Sequence, residues 1–205
     1  MHRSDERVYP PREDTWLLLK TARNEVRADD RVLEVGCGSG EVAAGLAPVD
    51  RVVATDINPH ALRLTRSRGV AVVRTDLCAG LLPVFDLVVF NPPYLPTGPD
   101  ERIDDWLEYA LDGGEDGREV ISRFSRMVAG ALAPGGRVLL LVSSLTGPDA
   151  VRTLMENAGL QTEIVAREEM EDEVLFVIRA VLAGDAEEDQ ASGTRNSSSF
   201  HTPSS

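Results

Sequence analysis

Four consecutive residues, Asn91-Pro92-Pro93-Tyr94, combine an amide side chain, two prolines and an aromatic ring, and could together position a ligand. They follow Val84–Phe90, a largely apolar run typical of a strand buried on both faces. Two prolines end such a strand, because neither can donate a backbone hydrogen bond to the sheet. The Asn91 side chain and the Tyr94 ring are therefore expected at the carboxyl end of a central strand, where open α/β sheets bind ligands. A turn without chemical function is the alternative interpretation of these four residues alone.

A Gly-rich segment, Gly36-Cys37-Gly38-Ser39-Gly40, could let the backbone approach a cofactor closely. It joins a predicted strand, Arg31–Gly36, to a predicted helix, Glu41–Ala47. It lacks the Gly-Lys-Ser/Thr ending of the phosphate-binding loop. Asp56 ends the next predicted strand, Arg51–Thr55, about 20 residues after the turn, where a carboxylate can accept hydrogen bonds from ribose hydroxyls. NAD-binding domains share this spacing, so it indicates a nucleotide-like cofactor without identifying it.

Most of the remaining chain alternates between helical and strand patterns, which is typical of a parallel sheet covered by helices. Residues 95–105 are rich in Pro, Gly and Asp and predict either a rim or lid beside the pocket or an inert loop. Residues 112–117 predict a tight Gly-rich connector, the acidic residues 168–173 an exposed loop, and residues 184–205 a disordered polar tail. The predicted helices are Trp16–Val26, Pro59–Arg68, Arg118–Leu132 and Asp149–Ala158, and the further predicted strands are Val70–Val73, Arg137–Ser143, Glu163–Arg167 and Val174–Ala180.

The composition of the chain predicts one domain over residues 1–183. With 205 residues and 42% hydrophobic content, there are enough apolar residues for a single core. No run has membrane-spanning length and the first residues do not form a signal peptide, which predicts a cytoplasmic protein. Two cysteines, Cys37 and Cys78, and three scattered histidines indicate neither a disulfide nor a metal site.

The net charge of −13 comes from 34 acidic and 21 basic residues, and Lys20 is the only lysine. This balance disfavours direct nucleic-acid binding, which requires basic surface to displace counterions. The same balance is expected of a protein in high intracellular salt, where charge repulsion is screened, so it also suggests a halophilic source.

The motifs, in this order, resemble the class I S-adenosylmethionine-dependent methyltransferases that act on planar amino groups. Their signature is Asn or Asp, two prolines and an aromatic residue. The resemblance implies that the Asn91 side-chain oxygen and the Pro92 backbone carbonyl accept hydrogen bonds from the target NH2, which holds its nitrogen in line with the methyl group. It also implies that Pro93 belongs to the substrate pocket and that Tyr94 lies flat against the target. Asn91, Pro92 and Tyr94 are thus the expected catalytic residues, and no strong base is required, because the proton becomes acidic after methyl transfer.

The same resemblance implies a set of cofactor-binding residues. Glu34 would meet the positively charged amino-acid end, Asp76 would bond the adenine amino group, and Leu77 would pack on the ring. The alternative interpretation of Asp76 is a turn residue. The whole implied set is Thr15, Glu34, Gly36, Cys37, Gly38, Gly40, Asp56, Ile57, Asp76, Leu77 and Asn91.

The opening segment Tyr9-Pro10-Pro11-Arg12-Glu13-Asp14-Thr15, followed by a leucine-rich helix, resembles the HemK-like glutamine methyltransferases of archaea and eukaryotes. This resemblance implies a single Rossmann-like domain: a seven-stranded, mostly parallel sheet with helices on both faces and an antiparallel last strand, in which residues 1–28 cover the cofactor. The implied substrate is the glutamine of the Gly-Gly-Gln motif in a class 1 translation release factor. The implied partner is a small zinc-binding activator protein that covers the edge of the sheet at the third strand.

Two other functions are compatible with the sequence. An adenine or cytosine amino-methyltransferase acting on DNA or RNA uses the same four-residue motif, although such enzymes usually add a recognition domain and a basic face. A non-catalytic subunit could keep the cofactor pocket, but the presence of Glu34, Asp56, Asp76 and Asn91 argues against it.

Overall fold

The computed structural model describes residues 5–46, 49, 51–98 and 105–183. Its strands are β1 (Val32–Val35), β2 (Val52–Asp56), β3 (Ala71–Arg74), β4 (Phe85–Phe90), β5 (Leu132–Ser143), β6 (Leu160–Glu169) and β7 (Val174–Leu182). They form one sheet in the order β3-β2-β1-β4-β5-β7-β6. Neighbours from β3 to β5 are parallel, whereas β7 is antiparallel to both β5 and β6. The expected seven-stranded, mostly parallel sheet with an antiparallel last strand is confirmed.

Helices cover both faces of this sheet. Within the described residues they are α1 (Glu13–Glu25), α2 (Glu41–Gly45), α3 (Pro59–Ser67), α4 (Trp106–Tyr109), α5 (Glu119–Val128) and α6 (Pro148–Asn157). None of them combines the length and apolar character needed to cross a bilayer. Ala47, residues 99–104 of the predicted rim and the predicted tail 184–205 lie outside the described residues.

The apolar side chains of the central strand β4 are all buried, because they alternate between two cores. Val88 and Phe90 pack with α5 and α6, and the Phe90 ring lies 4.7 Å from the Phe124 ring of α5, centroid to centroid. Leu87 and Val89 pack on the other face with α1 and α2. Burying each of these side chains contributes about 1.5–3 kcal/mol, so residue 91 directly follows a strand that is held by packing on both of its faces.

Two predicted helix boundaries are wrong. Helix α1 begins at Glu13 and not at Trp16, because the backbone of Arg12 already starts the helical bonding: the Trp16 N–H donates to the Arg12 carbonyl at 3.1 Å. This brings Asp14 and Thr15 into the first turn. Helix α5 ends at Val128 and not near residue 132.

The strand after α5 also begins earlier than predicted, at Leu132 and not at Arg137. Leu132 pairs with Phe85, and after an irregularity Arg137 pairs with Leu87. The intervening Pro-Gly-Gly segment therefore forms a bulge within β5. Its composition resembles a turn, but sheet pairing on both sides keeps it in the strand.

The last two strands are longer than predicted, and the predicted acidic loop 168–173 is correspondingly shorter. Glu168 pairs with Leu175 and Glu169 pairs with Val174, so only residues 170–173 connect the strands. Cross-strand pairing extends β6 through acidic residues that composition alone would assign to a loop.

Candidate active site at the carboxyl end of the sheet

The carboxyl ends of β1, β2 and β4 open into one cavity of about 1340 Å³. The structure brings together there almost every residue that the sequence proposed for the site, although they come from distant parts of the chain. Those in the lining are Thr15, Glu34, Gly36, Cys37, Gly38, Asp56, Ile57, Asp76, Leu77, Asn91, Pro92, Pro93 and Tyr94.

Gly40 is the proposed site residue that does not line this cavity. It faces α3 instead, and an added Cβ would lie 2.5 Å from the Thr65 Oγ1 atom. Its φ of +73° is also in the left-handed region that favours glycine. Glycine at this position is therefore required for packing the turn against α3.

Asp56, at the end of β2, connects this strand to the Gly-rich turn by a hydrogen bond. The Gly38 backbone N–H donates to Asp56 Oδ2 at 3.0 Å, and the Asn58 N–H donates to Asp56 Oδ1 at 2.8 Å. An added Cβ on Gly38 would meet only the Tyr9 carbonyl oxygen, at 4.0 Å. The turn thus presents bare backbone to the cavity, which is the surface a bound cofactor could approach.

Glu34 lies on β1 behind this turn and is 6% exposed. Burial raises the pKa of its carboxyl group to about 8. A hydrogen bond from the Ala43 N–H, at 2.9 Å, lowers this pKa and offsets part of the effect of burial. Burial likewise raises the pKa of Asp56. The inner end of the cavity therefore holds two carboxyl groups whose ionised forms are destabilised by burial, and a cationic ligand would stabilise those ionised forms.

The outer end of the cavity contains Asp76 and the apolar side chains of Ile57 and Leu77. The Asp76 carboxylate forms an ion pair with Arg123 of α5. Sequence reasoning missed Arg123, since nothing in the helical pattern of α5 distinguishes it from a solvent-exposed arginine.

Asn91 stands at the mouth of the cavity, directly after β4. Its Nδ2 donates to the Asp14 Oδ2 atom at 3.0 Å. Its Oδ1 is buried and has no hydrogen-bond partner among the described residues. A buried carbonyl oxygen without a partner is costly, so this atom is prepared to accept a hydrogen bond from a ligand.

The backbone beyond Asn91 is supported by the Gly-rich connector 112–117. The Leu95 N–H donates to the Leu111 carbonyl at 3.1 Å, and the Gly113 N–H donates to the Leu95 carbonyl at 2.9 Å. Gly117 packs so tightly that an added Cβ would lie 2.4 Å from the Tyr94 carbonyl oxygen. The connector therefore fixes the backbone position of Tyr94 through close packing and through the hydrogen bonds at Leu95. Burial and the nearby Asp14 raise the pKa of the Tyr94 hydroxyl, which keeps it neutral.

Three further features of the lining were not predicted from the sequence. Asp14 is 3% exposed and contacts Asn91, whereas the sequence indicated only that the opening segment covers the cofactor. Helix α4 contributes Trp106 and Tyr109, whose rings lie 5.9 Å apart. The acidic connection 170–173 borders the cavity, whereas the sequence indicated only an exposed loop.

Comparisons with known proteins agree with this geometry. The model of the methyltransferase domain family matches residues 32–110. A Methanocaldococcus jannaschii protein named as a protein N5-glutamine methyltransferase is 39% identical over 181 residues, which cover 84% of this chain and 91% of that protein. The human protein Methyltransferase HEMK2 is 39% identical over 189 residues, which cover 84% of this chain and 88% of HEMK2. Among solved structures, the E. cuniculi Mtq2–Trm112 complex, described as responsible for the methylation of the eRF1 translation termination factor, matches with a TM-score of 0.73 and 33% identity over 86% of this chain and 99% of that chain.

Proposed function

This chain belongs to the HemK-like family of protein N5-glutamine methyltransferases, and we propose that it methylates the glutamine of the Gly-Gly-Gln motif in a class 1 translation release factor. The methyl group goes to the side-chain amide nitrogen, and the donor is S-adenosylmethionine. The activity belongs to a single methyltransferase domain over residues 1–183. The observation on which the proposal depends is the Oδ1 atom of Asn91 at the mouth of the cavity, which is buried and has no hydrogen-bond partner within the described part of the chain.

The cavity residues fit S-adenosylmethionine, which when bound supplies an electrophilic methyl group on a positively charged sulfur. Glu34 is a buried carboxyl group at the inner end, suited to the ammonium group of the methionine part. Each oxygen of Asp56 accepts one backbone N–H and keeps a further lone pair for a ribose hydroxyl. Ile57 and Leu77 offer apolar surface for the adenine ring, and Asp76 an acceptor for its amino group.

At the mouth, the Asn91 Oδ1 atom and the Pro92 backbone carbonyl would accept hydrogen bonds from the two N–H groups of the target amide. Two acceptors fix the direction of the nitrogen lone pair, and this fixed direction lowers the barrier to attack. Tyr94, partly buried and neutral, would lie against the flat face of the amide. None of these residues needs to act as a strong base, because the amide proton becomes acidic after the methyl group has been transferred.

A protein substrate fits the electrostatics of the mouth better than a nucleic acid. The rim carries several carboxylates, including Glu13, Glu171, Asp172 and Glu173. Polynucleotide phosphates would be repelled there, whereas a polypeptide loop is free to bring neutral or basic residues. The neighbouring E. cuniculi complex, whose description names a translation termination factor as its substrate, supports the same choice.

The proposed partner is a small zinc-binding activator protein that covers strand β3. This strand forms one edge of the sheet, and its Val73 side chain is 41% exposed. Exposed β-branched edges promote association unless they are covered. The same E. cuniculi structure contains a second protein, Trm112, bound to the methyltransferase.

The partner surface can be tested by comparing the two edges of the sheet. Val73→Asp on β3 should abolish co-purification of the small partner. Ile164→Asp on β6, which is 43% exposed at the opposite edge, provides the matched control and should leave it intact. Equal effects of the two substitutions would contradict a partner on β3.

The function itself is tested by mass spectrometry of a class 1 release factor after incubation with this chain and methyl-labelled cofactor. One added methyl group on the Gly-Gly-Gln glutamine is expected, and none on a factor in which that glutamine is replaced by alanine. Label found only on DNA or RNA offered in the same assay would overturn the proposal in favour of an amino-methyltransferase acting on nucleic acid.

A further inference from the structure

Asp14 determines which way the Asn91 amide faces. Its Oδ2 atom accepts hydrogen bonds from Asn91 Nδ2 at 3.0 Å and from the Tyr9 hydroxyl at 3.1 Å. Its Oδ1 atom accepts from the Thr15 backbone N–H at 2.6 Å and from the Thr15 hydroxyl at 3.1 Å. A carboxylate offers about four acceptor positions, so the chain itself fills all of those on Asp14. Asp14 therefore cannot take a proton from a substrate without losing one of these bonds.

The chemistry of the pair leaves Asn91 a single stable orientation. An amide can face a neighbour with either its NH2 group or its oxygen, but an ionised carboxylate can only accept. Asp14 must therefore face the NH2 group of Asn91. The Oδ1 atom is consequently turned away from Asp14, and it is the atom that is buried without a hydrogen-bond partner from residues 5–46, 49, 51–98 and 105–183. Asp14 also lies in the first turn of α1, at the positive end of the helix dipole, which attracts negative charge.

We propose that Asp14 is a positioning residue that holds Asn91 with its oxygen directed at the target amide. By accepting from Nδ2, the carboxylate also polarises the Asn91 amide and makes Oδ1 a stronger acceptor. The inference rests on the function proposed above, since the orientation matters only when the target offers N–H donors. It assigns to the opening segment of the chain a direct influence on the reacting geometry.

This pairing reverses a simple expectation about substitutions. From the sequence alone, Asn91→Asp appears conservative, because it keeps an acceptor oxygen at the same reach. In the structure it places a second carboxylate against Asp14, and the two would repel unless they shared a proton. Asp14→Asn has the opposite defect: the new amide would donate to the Asn91 oxygen and leave the NH2 group of Asn91 facing the donor groups of the target.

The double variant, Asp14→Asn with Asn91→Asp, restores a donor and an acceptor with their places exchanged. The amide introduced at position 14 donates to the carboxylate introduced at position 91, whose second oxygen remains free to accept from the target. Each single substitution should lower the single-turnover rate on the release factor by roughly 100-fold. The double variant should recover at least about tenfold relative to either single variant. Asp149→Asn is the same change at the second residue of α6, where the carboxylate is exposed and does not line the cavity; it is the matched control and should have no effect.

The pH profile separates positioning from a structural effect. Asn91→Asp should regain activity as the pH falls, because a proton shared between the two carboxylates again supplies one donor and one free acceptor. The double variant should show no such gain. The other charged or titratable groups interacting with this pocket, which stay unchanged in every variant, are Tyr9, Arg12, Glu13, Tyr94 and Glu173.

Thermal unfolding of the same proteins reads the pairing without any substrate. The Tm of the double variant should exceed that of Asn91→Asp. Rates that simply multiply, with a double variant slower than both singles, would overturn the role of Asp14. A wild-type chain inactive on the release factor would instead overturn the proposed function, while the pairing would still be judged by the Tm comparison.

Discussion

The two ends of the sheet hold buried polar groups in opposite ways. At the amino end, the Arg137 guanidinium is almost fully buried and bonds to the Asp30 carboxylate at 2.7 Å, to the Asp86 carbonyl at 3.1 Å and to the Glu25 carbonyl. At the carboxyl end, Glu34 is buried and accepts no hydrogen bond from a guanidinium group among the described residues. The Asn91 Oδ1 atom has no hydrogen-bond partner among them.

This difference separates a structural charge cluster from a binding site. Where the chain supplies every partner, the polar groups fix the register of the strands and are of no further use to a ligand. Where the chain buries acceptors and leaves them unsatisfied, it loses stability that a ligand can restore. The contrast is informative because both ends lie on the same strands. Asp86 is the second residue of β4, and Asn91 directly follows the last residue of this strand.

The largest effect is expected from breaking the amino-end cluster. Arg137→Ala leaves the Asp30 carboxylate buried and unpaired, and should lower the free energy of unfolding by about 3–5 kcal/mol, as measured by denaturant titration. Arg167→Ala is the control, because its ion pair with Glu169 is exposed on both sides and should be worth less than about 1 kcal/mol. Similar losses for the two variants would show that the buried cluster does not stabilise the fold.

The second effect belongs to the carboxyl end and should appear in turnover, not in stability. Asn91→Ala removes the free acceptor, while the two prolines after it keep the turn. We expect the single-turnover rate to fall by about 100-fold or more, with the free energy of unfolding and the cofactor affinity nearly unchanged. A near-normal rate would show that the four-residue motif only ends a strand.

The third effect concerns both cofactor binding and stability, since Asp56 serves both the fold and the proposed cofactor. Asp56→Ala should weaken S-adenosylmethionine binding by about 1–3 kcal/mol, the cost of leaving buried donors unpaired, which calorimetry would measure. Because the Gly38 and Asn58 N–H groups also lose their acceptor, unfolding should be measured in parallel. Unchanged affinity would remove Asp56 from the cofactor site.

The sequence predicted the carboxyl end of the sheet better than the amino end. The motif at Asn91 and the glycines of the turn are local signals, because prolines and glycines impose backbone geometry wherever they occur. Arg137 was assigned only to a strand, since its partners lie 107 residues away at Asp30 and 51 residues away at Asp86. Such long-range pairing leaves no local pattern.

Asp14 shows the same limit inside the site itself. Its sequence context, an acidic residue at a helix start, is common and indicates capping. Its contact with Asn91 spans 77 residues and depends on how α1 is laid across the end of β4. The helix boundary error has a different, local origin: the hydrogen bond from the Trp16 N–H to the Arg12 carbonyl starts α1 before the apolar residues begin, so periodicity does not reveal it. The halophilic interpretation of the net charge stays a prediction.

The smallest effect concerns protons at Glu34, and it probes the carboxyl end without changing its shape. Burial raises the pKa of this group to about 8 in the folded chain, whereas its usual value is near 4.5. Between these two pH values, the folded chain therefore keeps a proton that the unfolded chain has lost. The stability contributed by that proton is present at low pH and disappears as the pH rises through 8. A bound ammonium group would favour the ionised form, so cofactor binding should expel up to one proton near pH 7. The cofactor affinity should therefore increase with pH, by no more than about 1.4 kcal/mol per pH unit.

Calorimetry of S-adenosylhomocysteine binding in buffers of different ionisation enthalpy measures the expelled proton, and this ligand has the ammonium group without the sulfonium charge. Glu34→Gln should reduce the release to the smaller contribution of Asp56, whose pKa burial also raises. Binding by the wild-type chain without proton release would mean that Glu34 does not meet the ammonium group, and that this buried carboxyl group serves another purpose.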